Sequence, residues 1–222
     1  MTDSHCHVPG AGVRNFVCLE PGERLVDSGG GRLFFGYHPW RVEAYNEAAL
    51  RTALTEHPDA GVGEIGLDRL KERSISDRMR SVFRSQLMLA AEFKRPVVLH
   101  GAKCWGEVVK EFAPFAALVG ACIFHGFSRS TGLVGDIAKL GGYISIGPAI
   151  LNDHAVNYRK MASTLPEELL LVETDRTAEN AADLPAVDSV AAELARVRGI
   201  ANEDMVRILE RNAERFLGAF RR

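Results

Sequence analysis

Residues 2–8 read Thr-Asp-Ser-His-Cys-His-Val and form the first of several short runs along the chain that predict the fold. Successive side chains of an extended strand point to opposite faces, so His5 and His7 lie on one face with Asp3 beside them. Two imidazoles on one face can hold a metal ion, and a neighbouring carboxylate can orient them. The alternative is a polar segment in which two histidines have no shared role.

Seven further runs, rich in Val, Ile, Leu and Phe, follow the first and are typical of strands buried on both faces. The predicted strands are 2–7, 15–19, 33–38, 60–66, 96–100, 121–125, 142–147 and 169–175. Amphipathic patterns predict helices at 43–57, 76–94, 105–117, 130–140, 153–164, 186–198 and 203–217, with Asn202 as a possible cap of the last. This alternation predicts a single α/β domain over residues 1–222, a distorted (β/α)8 barrel of the TIM type.

The first quarter of the chain departs from regular alternation. Only residues 8–14 separate the first two runs, which is too short for an ordinary crossover helix. The turn Gly29-Gly30-Gly31 leaves little room for a second helix. The pattern therefore predicts shortened or missing first crossover helices, or else a misplaced second strand. A doubly wound open sheet is the alternative architecture.

The overall charge limits the classes of partner. A formal net charge of −2 provides no general attraction to polyanions, so nucleic-acid binding would need a local basic patch. The chain shows no secretory signal and no apolar run long enough for a membrane span. Its four cysteines are scattered without metal-site or disulfide spacing. We therefore expect a cytoplasmic protein without a membrane partner.

Ionisable side chains are concentrated at the ends of the predicted strands, and a buried apolar strand has no packing reason to end in histidine. In a parallel barrel these ends meet on one face, where active sites are built. The candidate metal ligands are His5, His7, Glu64, His100, His125 and Asp175. Six ligands exceed the needs of one catalytic zinc ion and suit two divalent ions with a bridging carboxylate and water. Glu64 is the natural bridge, and Asp175 would act as general base.

Six short motifs in this order resemble the TatD family of metal-dependent hydrolases, within the amidohydrolase superfamily. They are Asp-Ser-His-Cys-His (3–7), Gly-Tyr-His-Pro (36–39), Gly-Glu-Ile-Gly-Leu-Asp (63–68), Val-Leu-His (98–100), Phe-His-Gly-Phe-Ser (124–128) and Glu-Thr-Asp (173–175). The short segment after the first strand suggests a compact branch of the family. The resemblance implies one ion held by His5, His7, Glu64 and Asp175, and a second held by Glu64, His100 and His125. It also implies that His38 contacts the scissile phosphate.

The activity that this resemblance implies is that of a phosphodiesterase or deoxyribonuclease acting on DNA ends, in which a hydroxide bridging two ions attacks phosphorus. Zinc, manganese or magnesium would suit the mixed nitrogen and oxygen ligands. Hydrolysis of a small amide, ester or lactone is the alternative reaction, and a non-catalytic binding protein is the alternative class. The chain departs from its relatives at Arg129 and Arg176, where many have Gly and Pro.

Residues that follow the strand ends are candidates for binding the substrate. Arg69, Lys103 and Arg129, with Arg176 nearby, could form a cationic rim for phosphates. Four aromatic residues in the same loops could stack on bases or sugars, namely Tyr37, Trp40, Trp105 and Phe127. Asp3 is expected to support the ligands rather than bind an ion, and Cys6 is expected to point away from them.

Overall fold

The computed structural model describes residues 1–128 and 131–221 and contains one sheet of eight parallel strands in sequential order. The strands are β1 (Thr2–Cys6), β2 (Arg14–Leu19), β3 (Arg32–Phe35), β4 (Gly61–Asp68), β5 (Val97–Ala102), β6 (Cys122–Phe124), β7 (Gly142–Ile146) and β8 (Leu170–Val172). The ends of β1 and β8 meet through separate hydrogen bonds, including Asp175 N–H to His5 O at 3.1 Å. The sheet therefore forms a nearly closed barrel, which confirms the predicted (β/α)8 architecture and excludes an open doubly wound sheet.

The helices lie outside the barrel and follow the strands from β3 onward. They are α1 (Glu47–Glu56), α2 (Asp77–Glu92), α3 (Trp105–Phe112), α4 (Ala116–Val119), α5 (Val134–Lys139), α6 (Val156–Thr164), α7 (Val187–Arg198) and α8 (Asn202–Leu217). Side chains cap α1 and α2, because Asn46 accepts from Ala49 N–H and Ser76 accepts from Met79 N–H. None of the helices in the described part of the chain is long and apolar enough to cross a membrane.

The predicted cap of α8 is wrong by one residue. Asn202 already lies within the helix, and Ala201 occupies the capping position in an extended conformation without a side-chain hydrogen bond. The two acidic residues of the first turn, Glu203 and Asp204, instead complement the positive end of the helix dipole. A capping side chain was therefore not required to start α8 here.

The first two crossovers contain no helix, as the sequence predicted, and the second strand lies where it was expected. The buried side chain of Asn15 takes the place of a helix between β1 and β2. It accepts from Gly10 N–H at 2.9 Å and donates to the carbonyl oxygens of Gly10 and Val13 at 3.1 and 2.8 Å. Before β3, a Cβ on Gly31 would lie 1.9 Å from the Asn15 carbonyl oxygen, so only glycine permits this approach.

Two apolar layers hold the barrel together. Alternate strand residues, among them Phe16, Phe34 and Ile123, form an inner cluster with Phe216 of α8. The intervening residues, including Val17, Phe35 and Phe124, pack against the surrounding helices in a larger cluster. Because α8 contributes to the inner cluster, it covers the end of the barrel where the strands begin. The opposite end, where the strands finish, remains available for polar side chains.

Candidate metal centre

All six predicted ligands come together where the strands end. They are contributed by β1, β4 and β5 and by the short segments that follow β1, β6 and β8. A close approach of β4 to β5 makes this possible, because a Cβ on Gly66 would lie 1.9 Å from the carbonyl oxygen of His100. The pairing of β4 with β5 also shifts register between Val62 and Ile65, next to Glu64.

One group of side chains faces the Oε1 atom of Glu64. His7 Nε2 lies 3.1 Å from this oxygen and His5 Nε2 lies 3.9 Å from it. The same two nitrogens lie 3.8 and 3.3 Å from Asp175 Oδ1, respectively. Two imidazole nitrogens and two carboxylate oxygens therefore surround one small volume.

A second group faces the other oxygen of Glu64. His125 Nε2 lies 2.5 Å from Glu64 Oε2, and His100 Nδ1 lies 3.0 Å from it. The two imidazole nitrogens are 3.1 Å apart. The Glu64 carboxylate thus lies between the two groups, with one oxygen directed to each.

These distances fit metal coordination. Ligand atoms about 2.1 Å from a tetrahedral ion lie about 3.4 Å from one another, which is close to the separations of 3.1–3.9 Å in the first group. The second group is tighter, at 2.5–3.1 Å. His5 Nε2 is buried and makes no hydrogen bond within the described residues, although it points between two carboxylates. A histidine binds a metal ion through a ring nitrogen that carries no proton and accepts no other hydrogen bond, so His5 Nε2 can serve as a ligand. The His, Asp and Glu side chains gathered here can therefore hold metal ions.

The charges in the cluster are mutually dependent. Burial opposes ionisation of Glu64, but the charges of His125 and His5, with hydrogen bonds from the second histidine group, lower the pKa of Glu64 well below its ordinary value. Burial lowers the pKa of His5, which favours the neutral imidazole that binds metals. Burial opposes protonation of His7, His100 and His125 as well, but neighbouring carboxylates raise the pKa values of these three imidazoles. The cluster therefore supplies an anionic carboxylate and one neutral imidazole, and binding of ions would release protons from the other imidazoles.

Two carboxylates that the sequence did not single out support the second histidine group. Asp68 Oδ2 lies 2.9 Å from His100 Nε2, and Glu173 Oε1 lies 3.6 Å from His125 Nδ1. Burial opposes ionisation of Asp68, but hydrogen bonds from His100, the Leu70 backbone and Trp40 lower its pKa to about 2. Asp68 lies four residues after Glu64 on one strand face, so strand alternation could have identified it.

Behind the first histidine group lies a thiol rather than a carboxylate. Cys18 Sγ is 3.5 Å from His5 Nδ1 inside the barrel, a contact that no spacing in the sequence indicated. Cys6 points away into the outer apolar layer, as predicted.

Asp3 accepts hydrogen bonds from Thr174 N–H and Oγ1 at 3.0 and 2.6 Å, and therefore fixes the segment that carries Asp175. Burial raises the pKa of Asp3 to about 7.

The predicted phosphate contact, His38, lies beside the second histidine group. Its ring centroid is 4.5 Å from that of His100, and its Nδ1 accepts from Trp40 N–H at 3.0 Å. Burial lowers the pKa of His38 to about 4, so its imidazole is neutral near pH 7. His38 can therefore offer a hydrogen bond but no positive charge.

The predicted cationic rim is only partly described by the structure. The guanidinium of Arg69 lies 2.8 Å from the Glu107 carboxylate, which partly neutralises its charge. Lys103 is exposed in the turn between β5 and α3, with a left-handed backbone at φ +57°. Arg129 lies outside the described residues. A phosphate-binding role for these residues stays a prediction.

The stacking role suggested for four aromatic residues is wrong for three of them. Trp105, Phe127 and Tyr37 are buried, and the Trp105 ring packs against Phe127 at 5.3 Å between centroids. These residues stabilise the layer between strands and helices and offer no free ring face. Trp40 is different, because 47% of its surface is exposed next to His38.

Comparison with known proteins places the chain among related hydrolases. The family model described as TatD related DNase matches residues 25–218. The uncharacterized metal-dependent hydrolase YabD of Bacillus subtilis is 27% identical over 81% of this chain and 74% of its own length. The 3'-5' ssDNA/RNA exonuclease TatD of Edwardsiella piscicida is 29% identical over 63% of this chain. The match spans only 55% of that exonuclease.

A solved structure shares the fold over almost the whole chain. The TatD homolog YjjV from Escherichia coli K12 superposes with a TM-score of 0.81, at 24% identity, over 97% of this chain and 96% of that chain. The family-model match covers most of the sequence and includes β3 to β8, while the structure adds His5 of β1 and the adjacent His7 to the same cluster. The chain belongs to the TatD family of metal-dependent hydrolases.

Proposed function

We propose that this hydrolase is a deoxyribonuclease that uses two divalent ions to cleave phosphodiester bonds at DNA ends. The observation that supports two ions is the position of Glu64, whose two oxygens face two separate groups of histidines. His5, His7, Glu64 and Asp175 would hold one ion, and Glu64, His100 and His125 the other. Zinc, manganese or magnesium is compatible with these ligands.

When bound, such ions generate a nucleophile from water near neutral pH and stabilise charge on a phosphoryl group. The carboxylate of Asp175 is the group placed to accept the proton from the attacking water, because it lies at the open edge of the cluster with 51% of its side chain exposed. Burial opposes its ionisation, but the neighbouring imidazole of His5 lowers the pKa of Asp175, so it is an anion at neutral pH. Glu64 and Asp175 are the proposed catalytic residues.

Substrate orientation would fall to residues around this edge. The neutral imidazole of His38 would donate a hydrogen bond to an oxygen of the scissile phosphate. Lys103 and Arg69 would attract the flanking phosphates, which compensates locally for the formal net charge of −2. The relatives named as 3'-5' ssDNA/RNA exonucleases support a nucleic-acid substrate.

A second candidate reaction is hydrolysis of a small amide, ester or lactone. One observation favours it: a cleft of about 110 Å³ adjoins His7, His38 and Glu64 and is lined by two further carboxylates, Glu20 and Glu23. Carboxylates repel phosphates, and this volume suits a compact uncharged molecule more than a polynucleotide. The ions and the proton acceptor would be the same.

The two reactions are separated by assays of reconstituted protein. Chelated protein is reloaded with Mn²⁺, Zn²⁺ or Mg²⁺ and offered end-labelled single-stranded DNA and, in parallel, a panel of esters and lactones. We expect shortening of the DNA from one end in the metal-loaded protein only, with Glu64→Gln inactive on every substrate. Turnover of an ester with intact DNA would replace the proposed activity by the second candidate.

A further inference from the structure

Trp40 combines exposure with a fixed position next to the metal cluster. Its ring centroid lies 4.8 Å from that of His38, which is the residue proposed to contact the scissile phosphate. Its backbone N–H donates to His38 Nδ1 at 3.0 Å. Its side chain also lies near enough to Asp68, the carboxylate behind His100, to help lower the pKa of that carboxyl. Trp40 is therefore anchored from two sides, although nearly half of its surface faces solvent.

A second exposed apolar residue is attached to the same carboxylate. Leu70 N–H donates to Asp68 Oδ1 at 2.5 Å, and 54% of the Leu70 surface is exposed. Trp40 and Leu70, here called the Trp40–Leu70 patch, thus flank the Asp68 carboxylate that positions His100. Large apolar side chains left exposed beside a polar cluster are characteristic of ligand-binding surfaces.

A cation completes the patch. The ammonium of Lys71 lies 3.9 Å from the centroid of the Trp40 ring, in a cation–π contact. A planar aromatic ligand can take the position over the indole face and release Lys71 toward a negative charge carried by the same ligand. A nucleotide has both parts, because its base is planar and its phosphate is anionic.

We propose that Trp40 is the residue that determines specificity by receiving the base of the terminal nucleotide. Lys71 would bind the phosphate of the same or the next nucleotide. An unpaired terminal base is free to stack on an aromatic ring, so we expect an end that carries its base to be preferred over an abasic end. This inference rests on the proposed deoxyribonuclease function and names a residue that would bind its substrate.

The chain offers a direct optical test, because Trp40 and Trp105 are its two tryptophans and Trp105 is only 2% exposed. Metal-free protein, which does not cleave, is titrated with a single-stranded oligonucleotide and with the same oligonucleotide lacking the base at both ends. We expect quenching of tryptophan fluorescence by the intact strand, weaker quenching by the abasic strand, and no quenching in Trp40→Phe. Equal quenching by both strands, or quenching that persists in Trp40→Phe, would overturn the proposal.

The second part of the test measures turnover of the same two kinds of oligonucleotide end. In Mn²⁺-loaded protein, kcat/KM should favour the intact end over the abasic end by about 5- to 150-fold, the range expected for one base stacked on an aromatic ring. Trp40→Ala should abolish this preference and Trp40→Phe should retain part of it. Leu118→Ala, which removes an exposed apolar side chain from α4 at the other end of the barrel, should leave the preference unchanged.

The two proposals fail in different ways. Protein that cleaves no oligonucleotide contradicts the proposed function, while the binding titration, which needs no turnover, still decides the role of Trp40. Protein that cleaves intact and abasic ends at equal rates retains the proposed function and overturns the inference about Trp40.

Discussion

The backbone N–H of Asp175 donates a hydrogen bond to the carbonyl oxygen of His5 over 3.1 Å, so the last predicted ligand in the chain is attached directly to the first. Arg176 O accepts from the N–H groups of His7 and Val8, and these bonds close the barrel between β1 and β8. Asp175 has φ +52°, a conformation that Asp adopts more readily than most residues. The closure of the barrel and the edge of the metal cluster are therefore the same structural feature.

Substitution of Asp175 should separate activity from stability. Asp175→Ala retains the backbone bond to His5 and removes a half-exposed carboxylate, so the protein should still fold. We expect a loss of about 1–2 kcal/mol in the free energy of unfolding, because Ala adopts the positive φ of this position less readily than Asp. Loss of the proposed proton acceptor should lower kcat by about 10²- to 10⁴-fold. Asp136→Ala, on an exposed turn of α5, is the matched control and should keep full turnover. Normal turnover in Asp175→Ala would remove Asp175 from the mechanism.

Asp3 should make the stability of the metal-free protein depend on pH. Its folded-state pKa of about 7 lies above the ordinary value of 3.8, so the folded protein binds this proton more tightly than the unfolded chain. The free energy of unfolding should therefore fall as pH rises from about 4 to 7, through this group alone. Asp3→Asn, which cannot ionise, should flatten that part of the profile in urea titrations.

The comparison of wild type with Asp3→Asn isolates Asp3 from the other titrating groups, because they are common to both proteins. A difference between the two unfolding free energies that does not change between pH 4 and 7 would show that the pKa of Asp3 is the same in the folded and the unfolded protein. Asp3→Ala should be less stable than Asp3→Asn at every pH, because the buried Thr174 N–H then lacks its acceptor, at a cost of about 1–3 kcal/mol.

Removal of the carboxylate behind His100 should weaken metal binding. Asp68→Asn retains the shape of the side chain but no longer presents an anion to His100 Nε2. Such substitutions behind a histidine ligand typically reduce metal affinity by about 10- to 100-fold, and we expect a loss in this range. Competition of the protein with a coloured chelator for Zn²⁺ measures the change. Glu107→Gln, which removes the partner of Arg69, is the nearby control and should bind Zn²⁺ as wild type does.

The meeting of the ligand side chains at the strand ends could be predicted from the sequence, because two general rules apply to strands in a parallel barrel. Alternation along a strand brings His5 and His7 to one face, and parallel strands finish at the same end of a barrel. These rules depend on local spacing and fold class, so no side-chain packing had to be known. The absence of the first crossover helices could be predicted because the segments that join the first three strands are too short to contain them.

Side chains in the loops and behind the ligands could not be predicted in the same way. Trp105 follows β5 closely, but it is the first residue of α3, and the docking of that helix buries its ring against Phe124 and Phe127. The contact of Cys18 with His5 depends on the pairing of β2 with β1 across a turn held by Asn15. Tertiary packing decides such contacts, and a single sequence does not reveal it.

Lys103 provides a test of the predicted cationic rim. If its ammonium neutralises one phosphate of single-stranded DNA, Lys103→Ala should lower the slope of log affinity against log salt by about 0.7. The measurement is oligonucleotide binding to metal-free protein at several salt concentrations. Lys139→Ala, at the end of α5 that leads into β7, removes the same charge away from the strand ends. An unchanged slope in Lys103→Ala would exclude this lysine from the rim.

Asn15 should control the order of the turn that replaces the first helix. Asn15→Ala removes the acceptor of Gly10 N–H and two donors to carbonyl oxygens, which we expect to cost about 1–3 kcal/mol in unfolding free energy. Amide hydrogen exchange should accelerate in residues 8–13 and extend to His7, because this turn directly follows it. Asn46→Ala, which removes the cap of α1, is matched in chemistry and should accelerate exchange only in the first turn of that helix. Equal protection of residues 8–13 in Asn15→Ala and wild type would show that the turn is held by the strands rather than by Asn15.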